Sequence, residues 1–138
     1  MGKKVVLVGH CGPDSSFLRV TVSKAEAGIT VSMADDSQEL RAALDGGADL
    51  LLLNRELGYG FDQPMGVDVI RMFKNAYPNT KFMLVSNYAD AQAAALAAGA
   101  VPGFGKREIG QPRVAQLIRD ALNGASAKSA DKAPATAI

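Results

Sequence analysis

ADLLLLNREL, residues 48–57, decides how the whole chain is read. Asp49 to Leu53 is an apolar run of strand length, opened by the Gly46-Gly47 break and closed by polar residues. A run of that kind reads as a strand buried on both faces of a parallel sheet. Open parallel sheets place their ligand or reactive group just beyond the carboxyl ends of the central strands, and that position falls on Asn54. Asn54 is neutral, and most of the functional reading turns on that.

The segments on either side alternate strand and helix. Towards the N-terminus, Val5 to Val8 is a β-branched run ending at Gly9, and the loop GHCGPDSS follows. Pro13, Asp14 and Ser15 signal a helix start, and Phe17, Leu18, Val22 and Ala25 recur at helical spacing up to Gly28. Ile29 to Met33 alternates as a second strand. Asp36 with Glu39 makes a capping box for a second helix, striped by Leu40, Ala43 and Leu44 and stopped at Gly46.

Towards the C-terminus comes a long polar loop from Arg55 to Gly66, carrying Gly58, Tyr59, Gly60, Phe61 and Pro64; loops of this length are often functional. Val69 or Ile70, Phe73 and Tyr77 mark a third helix that Pro78 is expected to end. Lys81 to Val85 reads as a fourth strand closing on Ser86. Ala89 to Ala98 is an alanine-rich fourth helix, high in propensity but burying little, so one of the softer elements. Val101 to Gly105 is a fifth strand before Lys106. Val114, Leu117, Ile118, Ala121 and Leu122 stripe a last helix after Pro112.

Residues 1–123 are therefore expected to form one domain, and residues 124–138, small and polar without periodicity, a disordered C-terminal tail. Five alternating strand–helix units predict a flavodoxin-like, doubly wound (βα)5 fold with a five-stranded parallel sheet in the order 2-1-3-4-5. The loops after strands one and three then face each other at the switch point.

Composition narrows the function. With 48% hydrophobic and 21% charged residues the chain is an ordinary globular protein, and a net charge of +1 leaves no basic stripe for nucleic acid. The single cysteine, Cys11, excludes an internal disulfide and a cysteine-built zinc site. MGKKVVLVG is too short in apolar residues for a signal peptide or a membrane span, so a soluble cytoplasmic protein without membrane contact is expected.

His10, Cys11, Asn54, Ser86 and Lys106 converge at the switch point. There the chain resembles the receiver domain of two-component response regulators over about residues 3–123, on KKVVLVG, ADLLLLN, KFMLVS and LAAGAVPGFGK in that order and spacing. The resemblance implies an acidic pair after strand one and an aspartate ending strand three, together holding Mg²⁺, the aspartate taking a phosphoryl group from a histidine kinase. Carried over by position, that aspartate falls on Asn54, the switch hydroxyl on Ser86 and the lysine on Lys106. The acidic pair falls on Gly9 and His10, or on His10 and Cys11. None is a carboxylate.

A carboxamide lacks the anionic oxygen that accepts a phosphoryl group, and Mg²⁺ needs oxygen ligands with at least one or two carboxylates. No catalytic residue, no metal site and no enzyme activity are therefore expected, and Mg²⁺ should bind weakly or not at all. The family's aromatic before the lysine and proline after it are replaced by Gly103 and Arg107, with Phe104 shifted by one onto the opposite face. His10 and Cys11 without a third ligand read as a loop histidine and a buried thiol. Ser86 is either a relic of the switch or a strand-end hydroxyl bonding backbone. Lys106 either binds an anion or is held by Glu56, the expected compensating carboxylate two residues beyond Asn54.

The reading is a stand-alone pseudo-receiver of two-component phosphorelay signal transduction, acting by protein–protein interaction with a histidine kinase or other regulators. By analogy it has a homodimer face on the fourth and fifth helices. Two alternatives stand beside it: a phosphorylatable receiver using Glu56 or Asp62, and a small-ligand or anion sensor built from Lys106, Ser86 and the long loop.

Overall fold

A strand buries four successive leucines only where both of its faces are covered, and a buried strand needs backbone partners along both edges. β3 (Leu50–Asn54) meets both conditions, and Leu50 to Leu53 are all fully buried. It lies parallel between β1 (Lys4–Val8) and β4 (Lys81–Val85), with Val5–Val8 opposite Leu50–Leu53 and Lys81–Val85 opposite Leu50–Asn54. β2 (Thr30–Ala34) and β5 (Val101–Phe104) form the edges, so the order is β2-β1-β3-β4-β5, as the sequence predicts. The computed structural model describes residues 2–123; the tail expected over 124–138 lies outside the described residues.

Strand alternation sorts the leucines between two cores. Leu50 and Leu52 pack with Leu18, Val22, Val114 and Ile118 under α1 (Gly12–Ala25) and α5 (Pro112–Asn123). Leu51 and Leu53 pack with Leu40, Leu44, Val69, Ile70 and Phe82 under α2 (Ser37–Asp45), α3 (Gly66–Phe73) and α4 (Ala89–Ala97). Each leucine removed from water contributes about 1.5–3 kcal/mol, which makes β3 the centre of the fold's energetics as well as of its topology. No described helix is long and apolar enough to cross a membrane.

Three local expectations are corrected. Phe17 is 64% exposed; the inner face of α1 is Ser15, Leu18, Thr21, Val22 and Ala25, and Phe17, one residue before Leu18, is rotated about 100° away from it. α3 ends at Phe73 rather than running to Pro78, and Tyr77 lies beyond the helix, its ring tilted against Phe73 and its hydroxyl donating to Asp45 Oδ1. β2 runs one residue later than expected and buries only Ala34, because it is an edge strand whose outer side faces water. Arg19 Nη1 covers part of that edge by donating to Val31 O at 3.0 Å.

The other edge is irregular. Met83 pairs with Val101 and Val85 with Phe104, so β5 spends three steps where β4 spends two. That extra residue turns the Phe104 ring into the core beneath α1 and α5, where it is 1% exposed. α4 buries a single side chain, Ala95, in line with its alanine-rich sequence.

Truncating Leu52 should leave a cavity at the centre of the sheet: Leu52→Ala is expected to lower unfolding free energy by about 2–5 kcal/mol in urea titrations. Tyr59→Ala, at a fully exposed ring, should stay within about 0.5 kcal/mol of wild type.

Candidate functional site

The site is built from the carboxyl ends of β1, β3, β4 and β5, brought side by side by the strand order. β1 runs into Gly9, whose φ of 72° is left-handed backbone that glycine adopts without strain. A Cβ at residue 9 would stand 2.7 Å from Leu57 Cδ2, so the leucine occupies the space that a side chain there would need. Leu57 is 5% exposed and belongs to the core beneath α2 and α3.

Asn54 ends β3 and ties the loops on either side together. Its Nδ2 donates to Gly9 O at 3.1 Å and to Glu56 O at 3.0 Å, using both amide hydrogens on backbone carbonyls. The long loop beyond it folds as a small hairpin. Glu56 bridges Met65 antiparallel, Leu57 N donates to Pro64 O, and Gly66 N donates to Arg55 O.

The hairpin's far arm rests on the start of α2. Ser37 N donates to Gly60 O at 2.8 Å, Asp62 N to Ser37 Oγ at 2.7 Å, and Arg41 pairs with Asp62 at 3.1 Å. The loop's two aromatics part company: Tyr59 is fully exposed, but Phe61 packs against the core. Asp62, the other carboxylate offered as a phosphoacceptor, is held against α2 by Arg41 and is not among the residues lining the pocket at Asn54.

Lys106 pairs with Asp14 Oδ2 at 3.1 Å, and this corrects the expectation that Glu56 would hold it. Glu56 instead meets Arg55 at 3.3 Å, with its side chain 66% exposed. Asp14 is in the first turn of α1, which directs it across the strand ends towards β5. Burial pushes the Asp14 carboxyl up, but the Lys106 ammonium and a hydrogen bond from Cys11 outweigh it and hold the carboxyl below its ordinary range. Cys11, expected as a buried thiol, is exposed at the N-cap of α1.

His10 sends Nε2 to Leu52 O at 2.8 Å; a carbonyl only accepts, so Nε2 carries the proton. Nδ1 is then a buried acceptor with no partner. Burial lowers the His10 pKa despite the Leu52 hydrogen bond, and Lys106 lowers it further, so the ring is neutral at pH 7. Ser86 is 4% exposed; its Oγ accepts from Tyr88 N at 3.1 Å, the backbone-bonding role among those weighed, which leaves its own hydroxyl hydrogen to donate. Arg55 stacks over the Tyr88 ring at 4.4 Å and joins the two loops above Asn54 and Ser86. Beneath that stack is a cavity of about 290 Å³ lined by Asn54, Ser86, Asn87 and Lys106.

The donor set does not fit Mg²⁺. Asn54 contributes a neutral carboxamide, its NH₂ bonded to Gly9 O and Glu56 O, where a carboxylate would be needed; Gly9 has no room for a side chain, and the Asp14 carboxylate is engaged by Lys106. Among the described residues no group of three His, Cys, Asp or Glu side chains is placed to hold a metal ion.

No protein-family model matches the sequence, and no curated protein matches it. Solved structures do. The signal receiver domain of a DNA-binding response regulator from Colwellia psychrerythraea superposes with a TM-score of 0.73 at 13% identity, over 88% of this chain and 98% of that one. The fold is that of response-regulator receiver domains. The signal receiver domain of an HD domain-containing protein from Pseudomonas fluorescens gives a TM-score of 0.72 at 21% identity, over 88% of this chain and 87% of that one. The response regulator domain of Thermotoga maritima CheB gives 0.62 at 21% identity, over 89% and 98%.

Within this receiver fold, Leu57, Arg55 and Tyr88 are the site residues that sequence reasoning missed. The available signal for Leu57 was a lone large apolar residue at the head of a polar, glycine-rich loop.

The Asp14–Lys106 pair makes a titration prediction. Because the folded state holds the Asp14 pKa down, the stability it contributes is present above the ordinary carboxylate range and lost as pH falls through the folded value. In carbon-detected NMR titrations, Lys106→Met should raise the Asp14 pKa, while Glu56→Gln should leave it in place.

Proposed function

We propose that this chain is a receiver-fold signalling module that works by protein–protein contact and accepts no phosphoryl group at residue 54. The observation that carries the reading is Asn54 at the end of β3, a neutral carboxamide whose NH₂ is committed to Gly9 O and Glu56 O. A phosphoryl acceptor at this position needs an anionic oxygen, which a carboxamide does not have. The lysine that would balance the incoming charge is already neutralised by Asp14.

Two-component signalling supplies the partners of this reading, a histidine kinase or another regulator. The face formed by α4 and α5, flanking a cleft of about 600 Å³ beside β5 and exposing 48% of Leu96, is its candidate surface for a partner or a second copy. Regulation then comes from a partner that binds two states of the module differently.

A second reading rests on one specific feature, the cavity of about 290 Å³ at Asn54. The Ser86 hydroxyl and the Lys106 ammonium would receive a small oxyanion there without covalent transfer, in competition with Asp14.

An amide NMR titration of the wild-type chain separates these readings. Mg²⁺ followed by beryllofluoride should produce no saturable shift at Asn54, Ser86 or Lys106, and saturable shifts requiring both reagents would overturn the proposal. Saturable shifts with inorganic phosphate alone would support the oxyanion reading.

Asn54→Asp tests the surroundings of the amide. It would set a carboxylate against two carbonyl oxygens, raising the folded-state pKa above about 4. Stability relative to wild type is then expected to be present at low pH and to fall as pH rises through that value, read as Tm between pH 4 and pH 7.

A further inference from the structure

We infer that α4 is a detachable element, clasped to the sheet by the carboxamide of one residue, Gln92. Its Nε2 lies 3.0 Å from Leu84 O, 3.1 Å from Ser86 O and 3.1 Å from Phe104 O. Three carbonyls surround one NH₂, which fixes the end of the amide that points inward. Two come from β4 and the residue after it, one from β5, so a single side chain laces the helix to both strands where their ladder is irregular.

The irregularity is what admits the clasp. The extra residue in β5 leaves Gly103 packed against the backbone of β4, where a Cβ would collide with Leu84 O and stand 2.8 Å from Gln92 Oε1. The bulge and the bare glycine together make room for the carboxamide.

Apolar burial under α4 is thin. α3 buries Val67, Val69 and Ile70, and α5 buries Val114, Ile118, Ala121 and Leu122, whereas α4 fully buries Ala95 alone, packs the methyls of Ala91 and Ala94 partly buried against the core, and leaves Leu96 48% exposed. A methyl group contributes far less burial than any of those side chains, so polar attachment carries an unusual share of the helix's anchorage. At its start, the Tyr88 N-cap is tied by the Ser86 hydroxyl and by the exposed Arg55 stack.

The clasp also reaches the candidate site. Ser86 supplies one of the three carbonyls through its backbone and caps Tyr88 through its hydroxyl, and it lines the cavity at Asn54. Release of α4 therefore frees two contacts on the wall of that cavity, and a partner that holds the freed helix would be felt there. This coupling requires no phosphoryl chemistry and stands whether or not residue 54 is inert.

Native-state hydrogen exchange on the full chain, read by NMR, tests the inference. In wild type, the amides of residues 93–98 should exchange through local opening, at least about tenfold faster than those of residues 51–53 and 82–84 after correction for intrinsic rates. Gln92→Leu, which keeps the side chain's bulk and removes the donor, should speed exchange in α4 alone by about a further tenfold.

Gln92→Glu adds a readout that packing would not move. A carboxylate facing three carbonyls is repelled, while its protonated form can donate one hydrogen bond. Its folded-state pKa is raised, so protection of α4 should be stronger at pH 5 and weaken towards pH 7, with residues 51–53 unaffected. Exchange of wild-type α4 at the rate of the central strands would overturn the inference, as would protection that is indifferent to Gln92→Leu or to pH in Gln92→Glu. If Gln92→Leu does not fold, the wild-type rates and the pH profile of Gln92→Glu decide it.

Discussion

Two hydrogen bonds from Asn54 Nδ2, to Gly9 O and Glu56 O, are the constraint around which the upper end of this sheet is arranged. A donor at the end of the central strand draws carbonyls towards it, and both loops on either side oblige. The β1–α1 loop turns its Gly9 carbonyl inward by way of a left-handed residue. The β3–α3 loop folds back as a hairpin that sets Leu57 against the same glycine. An acceptor side chain at residue 54 would repel both carbonyls, so the identity of one residue and the shape of two loops are mutually dependent.

Charge follows the same logic. With a neutral side chain ending β3, Lys106 turns across the site to pair with Asp14, while burial, with Lys106 adding to it, makes a proton unwelcome on His10. His10 accordingly sits neutral, its Nε2 spent on the carbonyl of Leu52 in the middle of β3. Where the receiver resemblance implies negative charge, Asn54 bonds backbone carbonyls, and the charged groups around the pocket are paired as Lys106 with Asp14 and Arg55 with Glu56.

Much of this was legible in the sequence, and the reasons differ by element. The apolar run before Asn54 and the regular alternation of strand and helix signals carried the sheet order, since burial on both faces leaves few alternatives for a run of four leucines. The receiver resemblance carried the positions of Asn54, Ser86 and Lys106, because strand ends are fixed by the sheet and not by their loops.

Loops were where the reading failed. Glu56 is close to Asn54 along the chain, yet Lys106 reaches Asp14, because side-chain direction from a helical first turn is a three-dimensional fact that chain separation does not encode. Phe17 failed for a related reason: neighbours in sequence on a helix are a quarter-turn and more apart, and only one of Phe17 and Leu18 can face the sheet. Leu57 was invisible because a single apolar residue in a polar loop has no periodicity to reveal which way it points.

The two outermost strands have a consequence for how the molecule behaves in company. A sheet with open edges offers unpaired backbone groups to any other extended chain, and association by strand addition is the usual hazard. Here one edge is short, carries Thr30, Ser32 and a half-exposed Met33, and has Arg19 laid over the Val31 carbonyl. The other is interrupted by Pro102 and kinked by its bulge. Neither presents the long, flat row of donors and acceptors that templates further strands. Strand addition at either edge of the sheet is thereby disfavoured, and on the β5 side the irregularity that disfavours it is the one that receives Gln92.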